Sequence, residues 1–217
     1  MDMPTDTSFL TLAQWLSPAF PVGAFAYSQG LEAAVDLRWV QDARSFEEWL
    51  ADLLEYGAGR SDTLFLAAAY HAPDAATVKE IGATACAYAA TSERLLETQA
   101  QGAAFCKVVS TVWDARLEDL PYPVALGAGA RHQGLQLTLT SAMYLQAIAS
   151  NLIAAAQRLL PLGQTEGQAI LRRLAGRCDA VALSTSHGDL SRLSTTTFLG
   201  DIAAMKHETQ YSRIFRT

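Results

Sequence analysis

Between Thr138 and Leu160 the apolar residues Leu145, Ile148, Leu152, Ala155 and Leu159 recur at alternating spacings of three and four. That period is one face of an α-helix packed knob into hole, and no strand can use it, because strand side chains alternate with a period of two. Elsewhere β-branched residues do not gather in alternating runs, while Ala, Leu, Glu and Gln, all good helix formers, fill most windows. The expected fold is all-α: a single globular helical domain over 1–217, built of about eight to ten helices.

Helix boundaries follow from caps and breakers. A short helix over about Thr7–Leu16 should stop at Ser17-Pro18, since the residue before a proline is pushed out of the α region. An irregular stretch through Pro21-Val22-Gly23 then leads to a helix over about Tyr27–Asp36. Ser45 and Glu48 have capping-box spacing and are expected to open a helix towards Tyr56, weakened at Gly57 and Gly59. Further helices are expected over Asp62–His71, Thr77–Ala90 and Ser92–Trp113, with Pro121-Tyr122-Pro123 as the main internal break. Pro161 should end the long helix, and Thr165 with Gln168 should cap the next. Residues 184–197, rich in Ser, Thr and Gly, are expected to be a mobile loop before a tail helix from about Ile202.

Composition narrows the class of function. Half of the 217 residues are hydrophobic and only 18% are charged, so little charge is left to cover the surface and some of that surface should be buried against other subunits. A net charge of -6, with no cluster of Lys and Arg, argues against nucleic-acid binding. The opening MDMPTDTSF has no basic run before an apolar stretch, so neither a secretory signal nor a mitochondrial presequence is expected, and a cytoplasmic location is. Ser150, Asn151, Gln157 and Arg158 interrupt the longest apolar pattern, which argues against a membrane span. Cys86, Cys106 and Cys178 are odd in number and form no CxxC, which suits buried thiols in a reducing compartment.

Candidate catalytic motifs are thin. Ala26-Tyr27-Ser28-Gln29-Gly30 is close to the G-x-S-x-G elbow, but that motif needs a strand before the serine and none is expected there. A small helical hydrolase using Ser28 with His187 or His207 stands as the rival reading from another class. Gly127-Ala128-Gly129-Ala130-Arg131-His132 lacks the strand and the G-K-[ST] of a phosphate loop; small residues so spaced suit two helices in close approach. His132, His187 and His207 have no acidic residue at helical metal-site spacing, and Pro73 breaks the helix between His71 and Asp74, so no tightly bound metal or other cofactor is expected. Arg158 could cap a helix C-terminus or, with Gly163-Gln164-Thr165, form a polar contact surface. Phe20, Phe25 and Tyr27 are either core or partner contacts.

The end of the chain is richer. In Lys206–Thr217 the residues Tyr211, Ile214 and Phe215 fall at i, i+3 and i+4, with Arg213 and Arg216 beside them, a composition typical of interface hot spots. A chain cut after Ala204 is expected to keep its fold and lose its partner, unless the tail is core.

The same block, KHETQYSRIFRT, resembles the C-terminal signature of the UreF family of urease accessory proteins, close to RHETLYSRLFRS. Ser17–Glu32 resembles the family's SPxLPVGxFxYSxGLE, and Leu159–Gln168 its LVPLGQTDGQ turn. The departures Lys206, Ile214 and Thr217 keep charge, apolarity or a hydroxyl. The resemblance implies an all-α scaffold without a catalytic site of its own, acting in assembly of the urease nickel centre. Its implied partners are the accessory protein UreD or UreH, the GTPase UreG and apo-urease, with a homodimer inside the larger assembly. The implied docking tail is 202–217, and the contact to UreD or UreH carries over to His207, Glu208, Tyr211, Ser212, Arg213, Phe215 and Arg216. The segment Ser17–Glu32 adds Tyr27 and Glu32, and the turn adds Gln164, with Arg158 just before it.

Overall fold

The computed structural model describes residues 7–217, so the expectation about a leader at the first residues lies outside the described part. Among the described residues there are ten α-helices, two single-turn 3-10 helices and no strand. The α-helices are α1 (Thr7–Trp15), α2 (Leu31–Asp36), α3 (Ala43–Tyr56), α4 (Ala58–His71), α5 (Ala75–Ala87), α6 (Ser92–Val112), α7 (Tyr122–His132), α8 (Leu137–Leu159), α9 (Gln164–Thr185) and α10 (Phe198–His207). The all-α expectation holds.

The layout is set by α4, on which every residue from Ser61 to Ala69 is buried. A helix that is covered on all sides must be central, and α4 packs against α3, α5, α7, α8 and α9. Its closest neighbour is α7, whose Gly127 is required: a Cβ there would stand 2.1 Å from the Leu66 carbonyl oxygen. The Gly-Ala-Gly-Ala run is thus a helix-packing surface. One buried cluster takes residues from all ten helices, with a line of ring contacts from Trp15 through Phe105 and Tyr122 to Tyr144, each centroid pair 5.1–5.7 Å apart. Such edge-on pairs add roughly 0.5–1.5 kcal/mol each beyond area burial.

Several boundaries differ from the sequence reading. The helix α2 starts only at Leu31, because Gln29 and Gly30 have φ of 51° and 82° and cannot continue a right-handed helix. The cap of α3 is Asp42, which accepts from the Ser45 N–H at 2.8 Å; Ser45 is the third helical residue, not the cap. Gly57 joins α3 directly to α4 rather than fraying either. Gly163 precedes α9 without any side-chain cap, so the Thr165–Gln168 box does not form. The expected 184–197 loop shortens, as α9 runs to Thr185 and Asp189 organises a 3-10 turn at Leu190–Arg192.

Although α8 is long and apolar enough to cross a membrane by length and composition alone, more than half of that stretch is buried against its neighbours. Of the polar residues along it, Arg158 is exposed and Ser150, Asn151 and Gln157 are half-buried, with the Gln157 amide packed beside Gly167 of α9. Cys106 and Cys178 are buried and Cys86 is partly exposed, all as free thiols.

Candidate docking site

The site forms where residues 26–32 meet the last stretch of the chain, 203–217. The last helix, α10, lies against α2 at Gly30. This glycine is needed twice, for its φ of 82° and because a Cβ would stand 2.7 Å from the Ala204 nitrogen. The buried residues of α10 are Ala203 and His207. The outward residues Phe198, Leu199, Ile202 and Met205 are 71%, 60%, 40% and 51% exposed.

The chain leaves the helix after His207, and the expected Tyr211–Ile214–Phe215 helical stripe does not form. The backbone explains why: the Ile214 and Phe215 N–H groups donate to the Glu32 carboxylate at 2.7 and 2.9 Å, and the Arg216 N–H to the Ala26 carbonyl at 2.8 Å. Amides held by α2 and its leading segment are lost to the i–4 carbonyls a helix requires. As a result Phe215 is 5% exposed while Tyr211 and Ile214 stand in solvent.

Around this backbone the side chains form two polar clusters. In the first, His207 is fully buried, with Nδ1 2.7 Å from Glu93 and Nε2 3.4 Å from Glu32, and Arg213 pairs with the second oxygen of Glu93. In the second, the Thr217 hydroxyl donates to Glu97 at 3.3 Å. Glu97 also takes Gln29, Gln101 and Arg94, and Arg94 reaches Asp62 at 2.6 Å. The Tyr144 hydroxyl donates to the same Asp62 oxygen at 2.7 Å. Burial pushes the Asp62 carboxyl above the ordinary aspartate range, against the pull of Arg94 and Tyr144. Burial alone would loosen the Arg94 proton, but Glu97 and Asp62 outweigh it and hold the guanidinium above its ordinary value. Beside this cluster lies a cavity of about 90 Å³, lined both by apolar side chains such as Leu53 and Phe65 and by polar ones, Asp62, Asp201 and Thr217 among them.

Ser28 is buried, donates its hydroxyl to the Thr217 main-chain oxygen and accepts the Glu32 N–H at 3.3 Å. His207 is turned to Glu93 and Glu32, and His187 to the Asp189 N–H and Arg192. No histidine contacts the serine, and the hydrolase reading is withdrawn. Ser28 anchors the tail.

Of the predicted contact residues, the structure gathers nine around the tail. Glu32, His207, Phe215 and Tyr27 are buried; Glu208 caps the N-terminus of α6 through Ser92; Arg213 is partly covered in its ion pair; Tyr211, Ser212 and Arg216 face outward. Arg158 joins them, its guanidinium 5.4 Å from the Phe215 ring centre. Gln164 is exposed at the start of α9 and makes no hydrogen bond or ion pair to the tail. Because Phe215 and Thr217 complete the buried surface, a cut after Ala204 would open the fold. The sequence reading missed Glu93, Glu97 and Thr217. On α6, Glu97 and Gln101 continue the stripe of Phe105 and Val109, which was the available signal of polar residues on a buried face.

Fold and site together define an all-α bundle that fixes a terminal segment from beneath and shows its other side to solvent. The UreF family model matches residues 40–175, more than half of the chain. Three proteins named urease accessory protein UreF are similar over nearly all of their length. That of Ruegeria pomeroyi is 54% identical over 217 residues, 100% of both chains. That of Roseobacter denitrificans is 51% identical over 99% of this chain and 96% of its own, and that of a Cereibacter sphaeroides strain is 47% identical over 97% and 99%. The chain belongs to the UreF family of urease accessory proteins. The matched span omits both 17–32 and 206–217, the segments that build the site, but the similarity to the Ruegeria pomeroyi protein covers them.

Proposed function

We propose that this protein is a scaffold of urease maturation. It binds UreD or UreH through the tail, recruits the GTPase UreG, and brings the assembly to apo-urease in the cytosol, itself paired as a homodimer. One observation carries this reading: Tyr211 and Ile214, 104% and 63% exposed, stand on a segment whose backbone is held by the buried Glu32 carboxylate. Large apolar side chains exposed beside Lys206, Arg213 and Arg216 have the make-up of an interface hot spot. Ordering such a segment in advance lowers the entropy cost of association.

The work is positioning rather than catalysis. A scaffold biases a GTPase only by contacting one nucleotide state better than another. Nickel is cargo, handed along weak oxygen or nitrogen ligands that can release it; among the described residues no three His, Cys, Asp or Glu side chains converge to hold a metal ion. Co-expression with the cognate UreD or UreH and UreG, followed by light scattering on a sizing column, tests the reading. A stable complex containing all three supports it, and a folded chain that elutes without either partner overturns it.

A further inference from the structure

We propose that Glu32 and His207 are positioning residues that never touch the partner and hold 208–217 in the conformation that turns Tyr211 and Ile214 outward. The inference rests on the docking reading above and states how that surface is set.

Sequence resemblance places both residues among the contacts, yet the Glu32 side chain is 7% exposed and that of His207 is 0% exposed. The two Glu32 oxygens are occupied, one by the Ile214 N–H and the other by the Phe215 N–H and His207. Fixing two successive amides on one carboxylate sets the rotation of the chain at that point, so that Phe215 enters the core beneath Arg158 and Ile214 leaves it. His207 bridges Glu32 of α2 to Glu93 of α6, and Arg213 returns to Glu93, so the segment is also held where it begins. A buried carboxylate left without donors is costly. Glu32 therefore gains its donors only when the segment is docked in this rotation, which makes docking and orientation a single event.

The test uses the full-length chain and its cognate UreD or UreH. By hydrogen–deuterium exchange, Glu32→Gln and His207→Gln are expected to speed exchange at the Ile214 and Phe215 amides by about tenfold or more, with α4 and α8 unchanged. By calorimetric titration, Glu32→Gln is expected to weaken partner binding about tenfold in the native background and less than about twofold in a Tyr211→Ala background. Ser28→Ala, which loosens the anchor of Thr217 without altering a charge, should show the same coupling and serves if Glu32→Gln fails to fold. Losses that simply add would mean that Glu32 meets the partner itself, and unchanged amide exchange would likewise overturn the proposal. A native chain that binds no partner defeats the docking reading alone, since the exchange result still decides whether Glu32 sets the segment.

Discussion

Glu208 caps a helix that begins at Ser92, 116 positions earlier: its carboxylate accepts the Ser92 N–H at 2.7 Å and the Ser92 hydroxyl at 2.6 Å. These are groups a helix cannot satisfy within its own first turn, at the positive end of its dipole. The Ser92 hydroxyl first, and then the Glu93 and Ser92 amides, hold the Glu208 carboxyl below its ordinary value of 4.5. A carboxyl depressed by folding stabilises above its unfolded value and loses that contribution as pH falls through the folded one. The difference in denaturation midpoint between the native chain and Glu208→Gln should therefore be present at neutral pH and vanish on acidification below 4.5. It should be small, because the group is exposed.

Phe215→Ala should cost about 3 kcal/mol in urea denaturation, within the range for truncating a buried aromatic, because the ring is covered by the fold and by Arg158. A value near zero would mean that the tail lies loose on the bundle.

Arg94→Met should be among the most damaging single changes, lowering stability by about 3–5 kcal/mol, because it leaves the Asp62 and Glu97 carboxylates buried without their cation. Equilibrium unfolding measures it, and a loss under about 1 kcal/mol would show that the pair is solvated.

Thiol titration offers an independent check on packing. Burial pushes the Cys106 and Cys178 thiols up to about 11, which keeps them protonated and shielded, whereas Cys86 is partly exposed. A disulfide reagent should modify Cys86 quickly in the native protein and reach Cys106 and Cys178 only after unfolding.

Helix existence was legible because it depends on local spacing: the Leu145–Leu159 stripe returned as α8 within one residue at each end. Positions decided by tertiary geometry were less so. The positive φ at Gln29 and the Asp42 cap shift boundaries that periodicity alone would place elsewhere. At the tail, helical spacing suggested a helix, but Glu32, about 180 positions away, captured the amides, and no local pattern reports such a long-range acceptor. The sequence did mark Glu32 and His207 as important. It could not tell an anchor from a contact, because burial separates the two.

Combining Tyr211→Ala with Ile214→Ser removes the outward face and leaves the anchors intact. The affinity of this double variant for the cognate UreD or UreH should fall about a hundredfold, with an unchanged melting temperature because neither side chain is buried. Native affinity in a fully folded double variant would show that the partner reads some other surface of the bundle.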